Sequence, residues 1–140
     1  MENTHTYGRI TPGLTTIGIG VIHQVVGAAA GLGLLPAVSG STSAPLLDLW
    51  RSGIIGQAEA DPLRMATVWF LLFGFLLIFA GMVLHRLELS GGKLSRDLAW
   101  GLGGLCALGV LLMSASGFWL GFIPATQIWT RAASGRPRVT

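Results

Sequence analysis

Charged side chains leave three long stretches of this chain untouched: Ile10–Leu47, Met65–Leu84 and Leu98–Thr130. A helix needs about 20 apolar residues to cross the hydrocarbon of a bilayer, and each stretch can supply at least one. In the first, the apolar pattern runs over 13–35, with Thr11 placed to cap it, Pro12 suited to its first turn and Pro36 ending it. In the second, Asp61-Pro62 announces a helix whose span covers 65–87 and closes on His85, Arg86 and Glu88. Leu89–Leu94 (LSGGKL) then reads as a tight turn.

The third stretch is harder. As one helix, Leu98–Thr130 would be about 50 Å long, too long for one crossing and somewhat short for two. Ser114-Ala115-Ser116-Gly117 interrupts it as a turn. Helices over 94–113 and 117–133 therefore fit, provided that Arg131 extends its side chain to the headgroups. Between the first two spans, Pro36–Pro45 is a polar turn region. Leu46, Leu47, Trp50 and Ile54 follow on one side of a short helix over 45–55, which suits the membrane interface. The expected fold class is all-α: a polytopic membrane protein, one transmembrane domain of four helices, with an interfacial helix after the first and a flexible tail over 134–140.

Charge bias favours four crossings over three. With four, Arg9, Arg86, Lys93, Arg96, Arg131, Arg136 and Arg138 share one side, seven of the nine basic residues, and only Arg51 and Arg64 face the other. With three, the bias disappears. Positive residues collect on the cytoplasmic side, so both termini are expected in the cytoplasm. Composition agrees with a lipid environment: 11% of the residues are charged, against about 25% in soluble domains, and mean hydropathy is +0.66. The 21 glycines suit helices packed backbone to backbone. The net charge of +3 does not point to nucleic acid, because no basic helix face or aromatic-interleaved patch accompanies it. Cys106 is the only cysteine, so no intrachain disulfide forms. The first apolar stretch exceeds the roughly 7–15 residues of a signal-peptide core and carries His23 and Gln24 at its centre, so it reads as a retained span.

Asp61-Pro62-Leu63-Arg64, Trp69-Phe70, Phe73-Gly74 and Gly81 carry a likeness, together with Gly20-Val21-Ile22-His23 upstream and Ser116-Gly117-Phe118-Trp119 downstream. From about Gly13 to Thr130 the chain resembles a family of small four-helix bacterial integral-membrane proteins of unknown function. That resemblance implies a multi-pass architecture in the bacterial inner (cell) membrane. It brings no activity, cofactor or catalytic residue with it. The chain departs from the family pattern at Ser114-Ala115, where a proline often follows the methionine.

Ionisable groups inside a membrane are the first candidates for function, and here they are few. No Asp or Glu lies deep in any expected span, which disfavours a proton-coupled exporter built on a buried carboxylate. His23 is the one deep titratable residue. It shares a face with Thr16, Gly20, Gly27 and Ala30, whose small side chains allow another helix to come close. A neutral imidazole there can donate one hydrogen bond and accept another. The plainer role is a packing hydrogen bond between helices, worth about 0.6–2 kcal/mol. The functional role is a polar contact, or an acid/base group, in a cavity. Aligned by depth, Gln24, Phe73, Cys106 and Gln127 approach the level of His23. Apolar walls with a few convergent polar groups are the usual form of a ligand site. His85, with Glu88 three residues on, reads as a polar cluster at a helix end; a metal shared by His23 and His85 is not expected, since they differ in depth by about half of a 30 Å core. Trp50, Trp100, Trp119 and Trp129 fall near span ends and suit an aromatic belt.

The leading functional expectation is a small lipophilic molecule bound in a midplane cavity near His23, Gln24, Phe73, Cys106 and Gln127. Catalysis is left open, with His23 its one candidate residue. The alternative is a structural or accessory subunit that packs against itself or a larger membrane complex through Gly27-xxx-Gly31 and Gly103-xxx-Ala107. A small transporter or pore ranks third, because no charged pathway lines the spans.

Overall fold

The computed structural model describes residues 10–35, 62–112 and 117–134. Four α-helices account for most of them: α1 (Pro12–Gly31), α2 (Pro62–Leu89), α3 (Arg96–Leu112) and α4 (Phe122–Ser134), with a 3-10 helix, Gly117–Gly121, leading into α4. No strand occurs among the described residues. The fold is all-α. The interfacial helix expected over 45–55, the turn at Ser114–Ser116 and the tail beyond 134 lie outside the described residues.

Local chemistry sets the helix ends. Thr11 caps α1 as expected, its Oγ1 accepting the Leu14 N–H at 3.3 Å, and Pro12 takes the first helical position, where no N–H is needed. The helix stops at Gly31, before Pro36 is reached, because Gly33 turns left-handed (φ 74°). Leu34 N–H then reaches back to the Ala29 carbonyl at 2.8 Å and Gly33 N–H to Ala30 at 3.0 Å, the paired bonds of a glycine C-cap. The end of α2 repeats this device with Gly91 (φ 81°) and Gly92 N–H on the Leu87 carbonyl at 3.0 Å. Ser95 caps α3 through the Leu98 N–H at 3.3 Å. Pro124 falls in the first turn of α4. Its missing N–H is harmless there, so it opens the helix rather than kinking it.

Two helices, Pro12–Gly31 and Met65–Leu89, are long and apolar enough to cross a membrane, with mean hydropathies of 1.4 and 2.5. Only 22% and 11% of their apolar windows are buried, whereas the central helix of a soluble protein hides most of its surface. Val21, Ile22 and Val25 of α1 and Trp69, Phe75, Leu76 and Phe79 of α2 all point outward. The third and fourth helices, at 17 and 13 residues, fall short of the about 20 needed for a full span, because the last apolar stretch is shared between α3, the 3-10 helix and α4.

The chain divides into two compact units, one formed by residues 1–17 and 80–140 and the other by 18–79. In the first unit the start of α1 runs antiparallel to the end of α2. A Cβ on Gly13 would stand 2.5 Å from the His85 nitrogen, and one on Gly81 would stand 2.7 Å from the Ile17 nitrogen. These backbones touch because glycine leaves no side chain between them. In the same unit α3 and α4 form a hairpin around Ala99, Cys106, Ala125 and Ile128, all buried. Gly109 faces the Phe118 ring and Gly121 the Cys106 sulfur at one end, while Trp100 meets Trp129 edge to face at the other, 5.2 Å between centroids. In the second unit the rest of α1 packs on the first part of α2. Gly20 lies against Ile78 and the Gly74 carbonyl, and Gly27 lies against the Phe70 ring.

Candidate functional site

Among the described residues, two groups of buried or half-buried polar side chains stand out, one in each unit. In the second unit, His23 projects from the small-residue face of α1 onto α2. Its ring stacks on Phe70, with centroids 3.6 Å apart and 11° between planes, and Phe73 meets it edge-on at 5.8 Å. A hydrogen bond ties the imidazole to the Phe70 backbone. Gln24 fills the notch that Gly74 leaves in α2; a Cβ on Gly74 would stand 2.7 Å from Gln24 Oε1. The His23 Nε2 and Gln24 Oε1 atoms are buried and have no hydrogen-bond partner among the described residues. Leaving a buried polar atom unpaired costs about 1–3 kcal/mol. Two of them fall on consecutive residues here, and aromatic rings wall the His23 side chain.

His23, Gln24 and Phe73 are thus brought together. Cys106 and Gln127 belong to the first unit. Cys106 is buried against Gly121 in the α3–α4 hairpin, and Gln127 Oε1 is buried without a hydrogen-bond partner among the described residues. Thr126, beside it, turns its hydroxyl back on its own helix, donating to the Phe122 and Ile123 carbonyls at 2.9 and 2.8 Å. Among the described residues no three His, Cys, Asp or Glu side chains converge as a metal site would require.

The second polar place, in the first unit, is anchored by Glu88, which is only 5% exposed. Its Oε2 accepts the Gly13 N–H at 3.3 Å and its Oε1 accepts Arg131 Nη1 at 3.3 Å. His85 Nδ1 lies 3.6 Å from the same carboxylate and 3.4 Å from the Thr11 hydroxyl. Arg131 Nη2 also reaches the Ile10 carbonyl at 3.5 Å. One carboxylate therefore ties the start of α1, the end of α2 and the end of α4. It meets the positive end of the α1 dipole there, which offsets its unfavourable position at the C-terminal end of α2.

Sequence reasoning paired His85 with Glu88 but missed Arg131 and the Gly13 N–H. A usable signal existed: an acidic residue in the last turn of an apolar helix opposes that helix's dipole, so it needs a donor from elsewhere. The arrangement is saturated with donors and reads as a staple, not as a reactive centre.

Fold and polar sites together define an all-α chain with two helices able to cross a membrane and short polar clusters between them. The chain belongs to a family of unknown function, DUF6463, which it matches over residues 9–135. No significant match is found among curated proteins or among solved structures.

Proposed function

We propose that the chain is a four-crossing protein of the cell (inner) membrane, both termini cytoplasmic, that binds a small lipophilic molecule at His23 and Gln24. The orphaned pair, His23 Nε2 and Gln24 Oε1, carries this reading. A lipophilic molecule bearing a hydroxyl or amide would give these atoms the partners they lack, and Phe70 and Phe73 supply an apolar wall for its body. Cys106 and Gln127 enter only as further candidates. His23 is the one residue here able to move a proton, so any chemistry on the bound molecule falls to it.

Four crossings draw support from charge rather than from length, since α3 and α4 are each shorter than a full span. Arg131 and Glu88 join the ends that the charge bias assigns to the cytoplasm. The test is direct. Purified protein is extracted with organic solvent, and retained small molecules are identified by mass spectrometry for the native chain and for His23→Ala and Gln24→Ala. A molecule present in the native chain and depleted in both variants is the expected result. An identical small-molecule profile in all three, at equal abundance, rejects the reading.

The accessory-subunit reading has one observation in its favour. A Cβ on Gly101, Gly103 or Gly104 of α3 would meet nothing within 4 Å, and Leu105 and Leu108 beside them are exposed. Gly27, by contrast, is already covered by Phe70. A sharp monomer mass in gentle detergent, with no copurifying protein, counts against that role.

A further inference from the structure

A third cluster, at the open end of the α3–α4 hairpin, takes part in neither the His23 site nor the Glu88 staple. The Arg96 guanidinium lies over the Trp129 ring, 5.3 Å from its centroid, and Trp129 in turn meets Trp100 edge to face. Arg96 has no carboxylate partner among the described residues, although the exposed Asp97 follows it in the chain. Lys93, also exposed, precedes it by three residues in the chain. Trp100 is 68% exposed and Trp129 37%. Indoles of this kind settle at the headgroup level, where one side of the ring is apolar and the other wet. A guanidinium placed over an indole is attracted by the ring's electron-rich face, and its N–H groups still suit a planar, bidentate acceptor. We propose that Arg96, Trp129 and Trp100 form a binding site for the phosphate of an anionic phospholipid headgroup, with the acyl chains lying along the apolar outer surface of α3.

The site rests on the membrane reading above, and one experiment separates the two. The full chain is reconstituted in an equal mixture of phosphatidylcholine and phosphatidylglycerol and released into gentle detergent. Native mass spectrometry then counts the retained lipids. Phosphatidylglycerol should be enriched, and Arg96→Gln should lower that enrichment about fivefold, the weight of one basic side chain near an anionic surface. Trp129→Leu should lower it as well, with Arg96 still present, because the guanidinium is no longer held. Arg86→Gln, at another exposed arginine, should leave it unchanged. Equal retention of both lipids, or an equal loss in Arg86→Gln, overturns the site and leaves the membrane reading intact. Displacement by excess inorganic phosphate assigns the cluster to a free anion and overturns the lipid. A chain that stays out of the bilayer fraction overturns both.

Discussion

Removing the carboxylate of Glu88 tests the staple most directly. Glu88→Ala deletes the acceptor of the Gly13 N–H and of Arg131 Nη1, each at 3.3 Å. A hydrogen bond to a charged group contributes about 1.5–3 kcal/mol, and the charge at the α1 N-terminus adds about 0.3–1 kcal/mol. The Arg131 contribution must be discounted, because its side chain is 36% exposed and water screens the pair to about 1 kcal/mol or less. The expected loss is therefore about 2–5 kcal/mol for Glu88→Ala. Glu88→Gln keeps an acceptor for Gly13 and loses the charge, so about 1–2 kcal/mol is expected. The assay is reversible unfolding by titrated denaturing detergent in mild micelles, followed by circular dichroism. A double-mutant cycle with Arg131→Met should give a coupling of up to about 1 kcal/mol. If Glu88→Ala unfolds at the native midpoint, or if the cycle shows no coupling while both single variants are destabilised, the staple is wrong.

Other consequences follow from close backbone contacts and from burial. Gly20→Ala should destabilise the chain by about 1–3 kcal/mol, since the new Cβ would stand 2.9 Å from the Ile78 nitrogen; the same unfolding titration reads it. Gly101→Ala, where a Cβ meets nothing within 4 Å, should instead stabilise by about 0.5–1 kcal/mol through helix propensity. Cys106 is 3% exposed, so a membrane-permeant maleimide should label it slowly in the native state and rapidly after denaturation; fast native labelling contradicts the hairpin packing. Single cysteines at Ser90 and Ser134, in a Cys106→Ala background, should react with an impermeant maleimide from the same side of sealed vesicles, and labelling from opposite sides would sink the four-crossing arrangement.

Local chemistry along the chain was enough to locate much of the architecture. Uncharged stretches marked where helices form, since a bilayer-length apolar run has few other stable solutions. Thr11 at the start of α1 announced its own hydrogen bond, because capping involves only neighbours in sequence. The end of α1 was less legible: Pro36 drew attention, while Gly33 closed the helix earlier through a left-handed turn that several nearby glycines could equally have supplied. Within the last apolar stretch, the 3-10 turn that precedes α4 was hidden, as hydropathy is blind to it.

Only tertiary structure could decide which distant groups meet. That the His23 ring lies flat on Phe70, and that Gln24 enters the notch at Gly74, depends on the azimuth of one helix against another, which no hydropathy pattern encodes. Glu88 and Arg131 stand far apart in the chain, and their pairing at 3.3 Å exists only because folding brings the end of α4 to the end of α2 within one unit. The sequence by itself determined the helices and their apolar character, because those follow from solvation of single residues. Partner choice among polar atoms came from packing, because a buried donor donates to whichever acceptor the backbones bring within about 3 Å.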